Sequence, residues 1–415
     1  MRPEQVAPVS RFSALVLYHY LYPDEVVSSV LFSQLCTGLA AQGMRVTGSS
    51  SNRSWSDDGR IYPRRTTRDG VEFLRIPRPG FRQSSAFGRI ANAAWMIAAW
   101  STMALDPRVR PDVLIVGTDP VLSLLVALPW KLFRPRTRIA HWCFDLYPEA
   151  AVADGLVQRK SFFVHNLTSL MRRAYRRCSL IVDIGDCMRQ RLKAYDSPAV
   201  SETIPPWALT EPEKPAGADP AERALLFGDA TLTLLYSGSF GRAHTWHGIP
   251  ELAGGLYPFG GRIAFSVQGN AANELRDAMK NAGAPVVFAE FAPGDRLQNR
   301  LGAADIHIVS LREEWTGTVV PSKFFGALAI GRPVLFIGSG ESAIAQWIGK
   351  FQVGWVLTPG NRDAVLADLT SLAADPERKA SLFARCHAVY AENFSRARAL
   401  DRWDGALRAC LTKQD

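Results

Sequence analysis

VPSKFFGALAIGRPV, residues 320–334, is the stretch whose reading decides the fold. Pro321 and Ser322 read as a helix start, with the Ser322 hydroxyl able to accept from orphan backbone N–H groups and Lys323 placing a cation beside them. The helix is short, because Gly331 ends it and Arg332-Pro333 forbids its continuation. Val334-Leu335-Phe336-Ile337 then has the length and composition of a buried parallel strand. A helix feeding such a strand is a unit of α/β structure, and its cationic start is a place for a diphosphate.

Outward from that unit the alternation continues. Apolar runs at 232–236, 263–267, 286–288 and 306–309 read as strands separated by helices, and the first half repeats the order with 14–17, 113–116, 139–142 and 180–184. Between residues 27 and 39 the apolar positions Val27, Val30, Leu31, Leu35 and Leu39 have helical spacing, and Gly43 closes that helix. The proline-rich stretch 204–217, IPPWALTEPEKPAG, interrupts the pattern and reads as an interdomain linker. Two doubly wound parallel-sheet domains follow, 1–207 and 208–390, with a final helix over 391–415 crossing back to the first. Such sheets bind ligands beyond the carboxyl ends of their strands. That directs attention to the loops 18–27, 145–155, 237–248 and 311–323.

Composition agrees with folded domains: 415 residues, 47% hydrophobic and 21% charged. The six cysteines show no close spacing, so neither a zinc site nor a redox pair is expected. The N-terminal MRPEQVAPVSRF lacks the apolar stretch of a signal peptide, and no segment reaches the ~20 apolar residues of a membrane span. The net charge of +9 is lopsided, since residues 1–205 carry 27 basic and 17 acidic side chains and the remainder is almost neutral. An anionic partner for the first half is implied.

Ser237-Gly238-Ser239-Phe240-Gly241-Arg242 follows a strand directly, and its small residues admit close approach of a ligand to the backbone, with Arg242 projecting beside it. The alternative is a plain strand-to-helix turn; the convergence of Arg242 and Lys323 in one domain favours an anion site. His244 and His247 share the loop, either as solvated residues or as phosphate donors. His141, inside a strand, reads as a core histidine.

Taken together, tandem α/β domains, a small-residue loop ending in arginine and PSKFFGALAIGRPV resemble the family-four glycosyltransferases of GT-B fold, above all the bacterial members that build exopolysaccharide, capsule or O-antigen. The resemblance covers most of the chain. It implies two Rossmann-like domains with an interdomain cleft, and retaining, metal-independent transfer of a sugar from a nucleotide diphosphate, uridine-based, with no cofactor beyond that co-substrate. It assigns the diphosphate to Gly238, Ser239, Gly241, Arg242, Ser322 and Lys323, and the base, ribose and sugar to Gln268, Gly269, Phe291, Thr318 and Glu341. Asp145, in the acidic loop Asp145-Leu146-Tyr147-Pro148-Glu149, joins Arg242 and Lys323 as a catalytic candidate, while Asp24, Glu25, Ser28 and Glu149 are acceptor candidates; a helix cap or solvated carboxylate is the competing role for each. The chain departs from the family where two glutamates are usual, having Thr318 and Gly326 instead, and it has His247 where a lysine is common. Glu341 is the candidate replacement.

The implied acceptor is a polyprenyl-diphosphate-linked glycan at the cytoplasmic face of a membrane, a location suited to the aromatic and basic stretch Trp130–Arg138 and to the arginines 172, 173, 176 and 177. Nucleic acid ranks low, because no recognised binding module is present. Two other functions stay open at this point: a nucleotide-sugar epimerase, which shares the architecture, and a catalytically silent binding subunit, suggested by the absent glutamates.

Overall fold

A computed structural model describes residues 12–57, 59–292 and 296–412. The N-terminal stretch read for a signal peptide lies outside them, apart from Phe12. The chain divides into two compact units, 1–205 together with 399–415, and 206–398.

The first unit is built on eight strands: β1 (Ser13–Leu17), β2 (Arg45–Ser51), β3 (Arg65–Arg68), β4 (Val71–Ile76), β5 (Val113–Val116), β6 (Arg138–Trp142), β7 (Leu180–Asp183) and β8 (Val200–Thr203). Their order is β3-β4-β2-β1-β5-β6-β7-β8. All pairs are parallel except β3 with β4. The central β1, β5 and β7 are buried along their whole length, as strands covered on both faces must be. Residues 399–412 of the C-terminal helix Arg396–Thr412 belong to this unit: Trp403 is fully buried with its ring 5.3 Å from that of Trp142, and Leu400 fills the space a side chain at Gly38 would need.

The second unit holds β9 (Leu232–Ser239), β10 (Gly261–Gln268), β11 (Val286–Ala289), β12 (Ile306–Ser310), β13 (Val334–Ile337) and β14 (Gly354–Leu357), all parallel, in the order β11-β10-β9-β12-β13-β14. That is the doubly wound order 3-2-1-4-5-6, which reverses between β9 and β12; the first sheet reverses between β1 and β5. Where the order reverses, the connections leave to opposite sides and a crevice opens at the carboxyl ends.

The deciding stretch forms the helix Lys323–Ala329 and then β13. Gly331, at φ +77°, turns the chain, with the Gly331 and Arg332 amides donating to Leu328 and Ala327. Ser322 does not cap: its backbone is already helical, its side chain accepts nothing from the helix, and it is exposed. The stretch 204–217 has no helix or strand, yet it is no free linker. Ile204 and Trp207 are buried, the Ala208 amide donates to the Tyr390 hydroxyl, and Arg332 holds the Ala216 carbonyl at 2.7 Å.

Candidate functional site

In the second unit the loops after β9 and β12 face each other across the reversal point. Gly238 has φ +116°, and a Cβ there would lie 3.0 Å from Cε of Lys323, so a glycine permits both the turn and the lysine. Lys323, the first residue of its helix, points back over the Tyr236 ring, with Nζ 5.3 Å from the centroid and 3.5 Å from Nε2 of His244. Among the described residues no carboxylate lies within ion-pair distance of it. Burial alone pushes the Lys323 ammonium down to about 8. His244 is pushed down to about 3, first by burial and then by the lysine charge, against the opposing effect of the Ser310 carbonyl 2.7 Å from Nδ1.

Beside this pair opens a cavity of about 950 Å³, walled by the ends of β9, β12, β13 and β14. Arg242, His244 and Trp246 line it from the loop after β9, and Arg312, Glu313 and Glu314 from the loop after β12. Of the residues assigned to the donor, only Arg242 is part of its wall. Gly238 and Lys323 adjoin it through His244. Gln268, Gly269 and Phe291 stand exposed near the ends of β10 and β11, outside the wall. Thr318 is fully buried, its hydroxyl without a partner. Glu341 is exposed and outside the cavity, in a turn where its amide donates to Ser339 Oγ. Carboxylates do reach the cavity, from Glu251, Glu274, Glu313 and Glu314, and the sequence reading had named none of them.

In the first unit the corresponding loops hold an acidic cluster. Asp119, after β5, accepts from or pairs with His19, after β1, at 3.3 Å. Asp145 follows β6, and burial, reinforced by the Asp119 charge, pushes its carboxyl up to about 6 while the Thr118 hydroxyl pulls the other way. His19 is buried, with Nε2 unpartnered. His141 behaves as a core histidine, its Nδ1 on the Val116 carbonyl and burial pushing it down to about 4. Glu149 accepts from the Tyr195 hydroxyl at 2.7 Å. Asp24 is buried, and its Oδ1 accepts from Ser54 Oγ, the Trp55 amide and the Tyr62 hydroxyl, so its carboxylate fastens one loop to another. Ser28 caps nothing, since the helix Val27–Ala41 begins before it, and Glu25 is exposed. His19, Thr118 and Asp119 were missed; the one signal for them was Gly117-Thr118-Asp119-Pro120 directly after an apolar run.

Two doubly wound parallel sheets, each with its polar loops gathered at the reversal of strand order, define the GT-B class. Residues 29–207 match the family described as Glycosyl transferase 4-like domain. The chain is 24% identical over 321 residues to a probable glycosyltransferase, WbjE, of Pseudomonas aeruginosa, covering 73% of this chain and 76% of that protein. Sucrose-phosphate synthase of Thermosynechococcus elongatus superposes with a TM-score of 0.70 at 14% identity, over 96% of this chain and 99% of that one. HepE of Anabaena in complex with UDP superposes with a TM-score of 0.62 at 12% identity, over 96% and 100%. Residues 29–207 thus carry a glycosyltransferase family domain within a chain of GT-B fold.

Proposed function

We propose that the protein is a retaining, metal-independent glycosyltransferase that moves a sugar from a uridine diphosphate donor to a polyprenyl-diphosphate-linked glycan at a membrane surface. The observation that carries this reading is the half-buried Lys323 ammonium, with no carboxylate among the described residues at ion-pair distance. Holding a half-buried cation without a counter-charge is unfavourable, as the lowering of its pKa to about 8 reflects, and an anionic ligand would offset that cost. A diphosphate meets that need, and the UDP bound to HepE supports uridine as the base.

Transfer breaks the bond between the anomeric carbon and the phosphate oxygen and forms one to the acceptor oxygen. Negative charge grows on the departing diphosphate, where Lys323 and Arg242 stabilise it and do the electrostatic work that other transferases give to a metal. The acceptor proton passes to the leaving phosphate. Asp145, ionised above pH 6, accepts a hydrogen bond from the acceptor hydroxyl and orients it. Glu313 and Glu314 line the cavity, which supports assigning sugar or ribose hydroxyls to them in place of the missing pair.

The surface of the first unit supports a lipid-borne acceptor. Phe162 and Phe163 are 81% and 62% exposed at the start of the helix Phe162–Tyr175, next to Arg159 and Lys160. Phe87 and Ile90 are 71% and 70% exposed on the helix Ala86–Thr102, flanking Arg89. Exposed aromatics beside cations suit an anionic headgroup layer. No described helix is long and apolar enough to cross a membrane. The test is nucleotide release and product formation from a panel of nucleotide sugars with a polyprenyl-diphosphate-sugar acceptor; intact turnover in both Arg242→Ala and Lys323→Ala would remove the proposal.

A further inference from the structure

We propose that His244 is a positioning residue that holds Lys323 extended towards the diphosphate while leaving its charge unneutralised. This rests on the donor reading above. The Ser310 carbonyl, 2.7 Å from Nδ1, can only accept, so Nδ1 carries the proton. In a neutral ring Nε2 is then a bare lone pair, and it faces Lys323 Nζ at 3.5 Å. The tautomer is thereby dictated by the backbone of β12, and the lysine receives an acceptor that bears no negative charge.

Each neighbour contributes to that state. From β9, the Tyr236 ring lies under the ammonium and edge-on to the imidazole, 6.0 Å between ring centroids, with burial holding its phenol protonated. Phe240, 5.6 Å from the imidazole, shields it from water. The charged groups around it are Lys323 itself, Arg242 in the same loop, and Arg312, Glu313 and Glu314 where the chain leaves β12 and lines the cavity. A carboxylate in place of His244 would pair with Lys323 and cancel the anion site. An ionised histidine would repel the lysine, and burial beside that lysine keeps the imidazole neutral throughout the neutral range.

The role predicts a behaviour that packing alone would not give. Without the lone pair the half-buried ammonium loses its acceptor and titrates at lower pH, so nucleotide binding fails earlier on the alkaline side. The experiment is calorimetric titration of the full chain with UDP, GDP and dTDP between pH 6 and 9.5, for wild type, His244→Phe, His244→Gln and Lys323→Met, with thermal melting to verify folding. His244→Phe should bind the preferred nucleotide about tenfold more weakly and move the alkaline midpoint down by about one pH unit. His244→Gln, whose amide both donates and accepts, should stay within about threefold of wild type. Folded His244→Phe with wild-type affinity and midpoint, or Phe and Gln variants equally weak at an unshifted midpoint, would overturn the positioning role while leaving the donor reading intact. Wild-type affinity in Lys323→Met, or no nucleotide bound by wild type, would instead overturn the donor reading itself.

Discussion

His19 Nδ1 lies 3.3 Å from Asp119 Oδ1, joining the loops after β1 and β5 where the first sheet reverses its order. The contact fixes the carboxylate whose charge helps push Asp145 up to about 6. Asp119→Asn should therefore move the acid limb of the kcat/KM profile to lower pH, because Asp145 would ionise more readily, while the alkaline limb stays in place. A pH–rate profile on the purified variant reads this directly; an unmoved acid limb would show that another group controls it. Asp145→Asn should lower turnover by about 10²–10⁴ above pH 6, with the deficit shrinking at lower pH where the wild-type carboxyl is itself protonated.

Lys323→Met should separate stability from function. The folded-state ammonium titrates near 8, below its ordinary value of about 10.5 in an unfolded chain, so the charge destabilises the fold fully below pH 8 and progressively less as pH rises towards 10.5. The methionine variant should gain about 1–3 kcal/mol at pH 7 in urea titrations, with the gain shrinking above pH 8. Donor turnover should meanwhile fall by about 10²–10³.

Gly238→Ala places a Cβ 3.0 Å from Lys323 Cε at a backbone φ of +116°. We expect a loss of about 1–3 kcal/mol in stability and a larger proportional loss of nucleotide affinity, because the displaced side chain is the one that meets the diphosphate. Melting temperature and nucleotide Kd measured on the same preparation distinguish the two effects.

Trp403→Ala opens a cavity against Trp142 in the first unit. A fully buried tryptophan replaced by alanine costs about 3–5 kcal/mol. Urea unfolding should show that loss, with nucleotide binding by the second unit retained.

Phe162→Ser together with Phe163→Ser should weaken flotation on anionic vesicles without changing turnover of a short soluble acceptor analogue. Binding to neutral vesicles should be weak in wild type and variant alike.

The fold was legible because buried parallel strands announce themselves as apolar runs: β9, β12 and β13 needed only Leu232–Tyr236, Ile306–Val309 and Val334–Ile337. The edge strands β3 and β8 were not found, since RTTR and VSET are polar and short, at positions where no apolar signal is required; β4, VEFLRI, lies inside the sheet and was missed despite its alternating buried side chains. Arg242 and Lys323 could be named because each sits in a recognisable loop or helix start. His19 and Asp119 stand 100 positions apart and meet only through the strand order. Ser322 was misread for a different reason: Pro321 and Ser322 have the chemistry of a helix start, but helical geometry at Ser322 turns its hydroxyl away from the amides it would have capped. Glu341 fits by position in the loop after β13, whereas the chain packing delivers Glu313 and Glu314 to the cavity instead.

The most direct measurement is donor turnover by wild type and Lys323→Met on a panel of nucleotide sugars with a polyprenyl-diphosphate-sugar acceptor. Wild type should form a glycosylated lipid with the anomeric configuration of the donor retained, and the folded methionine variant should lose about 10²–10³ of that rate. Equal rates in the two proteins, or no transfer by wild type from any nucleotide sugar, would contradict the assignment of Lys323 to the departing diphosphate.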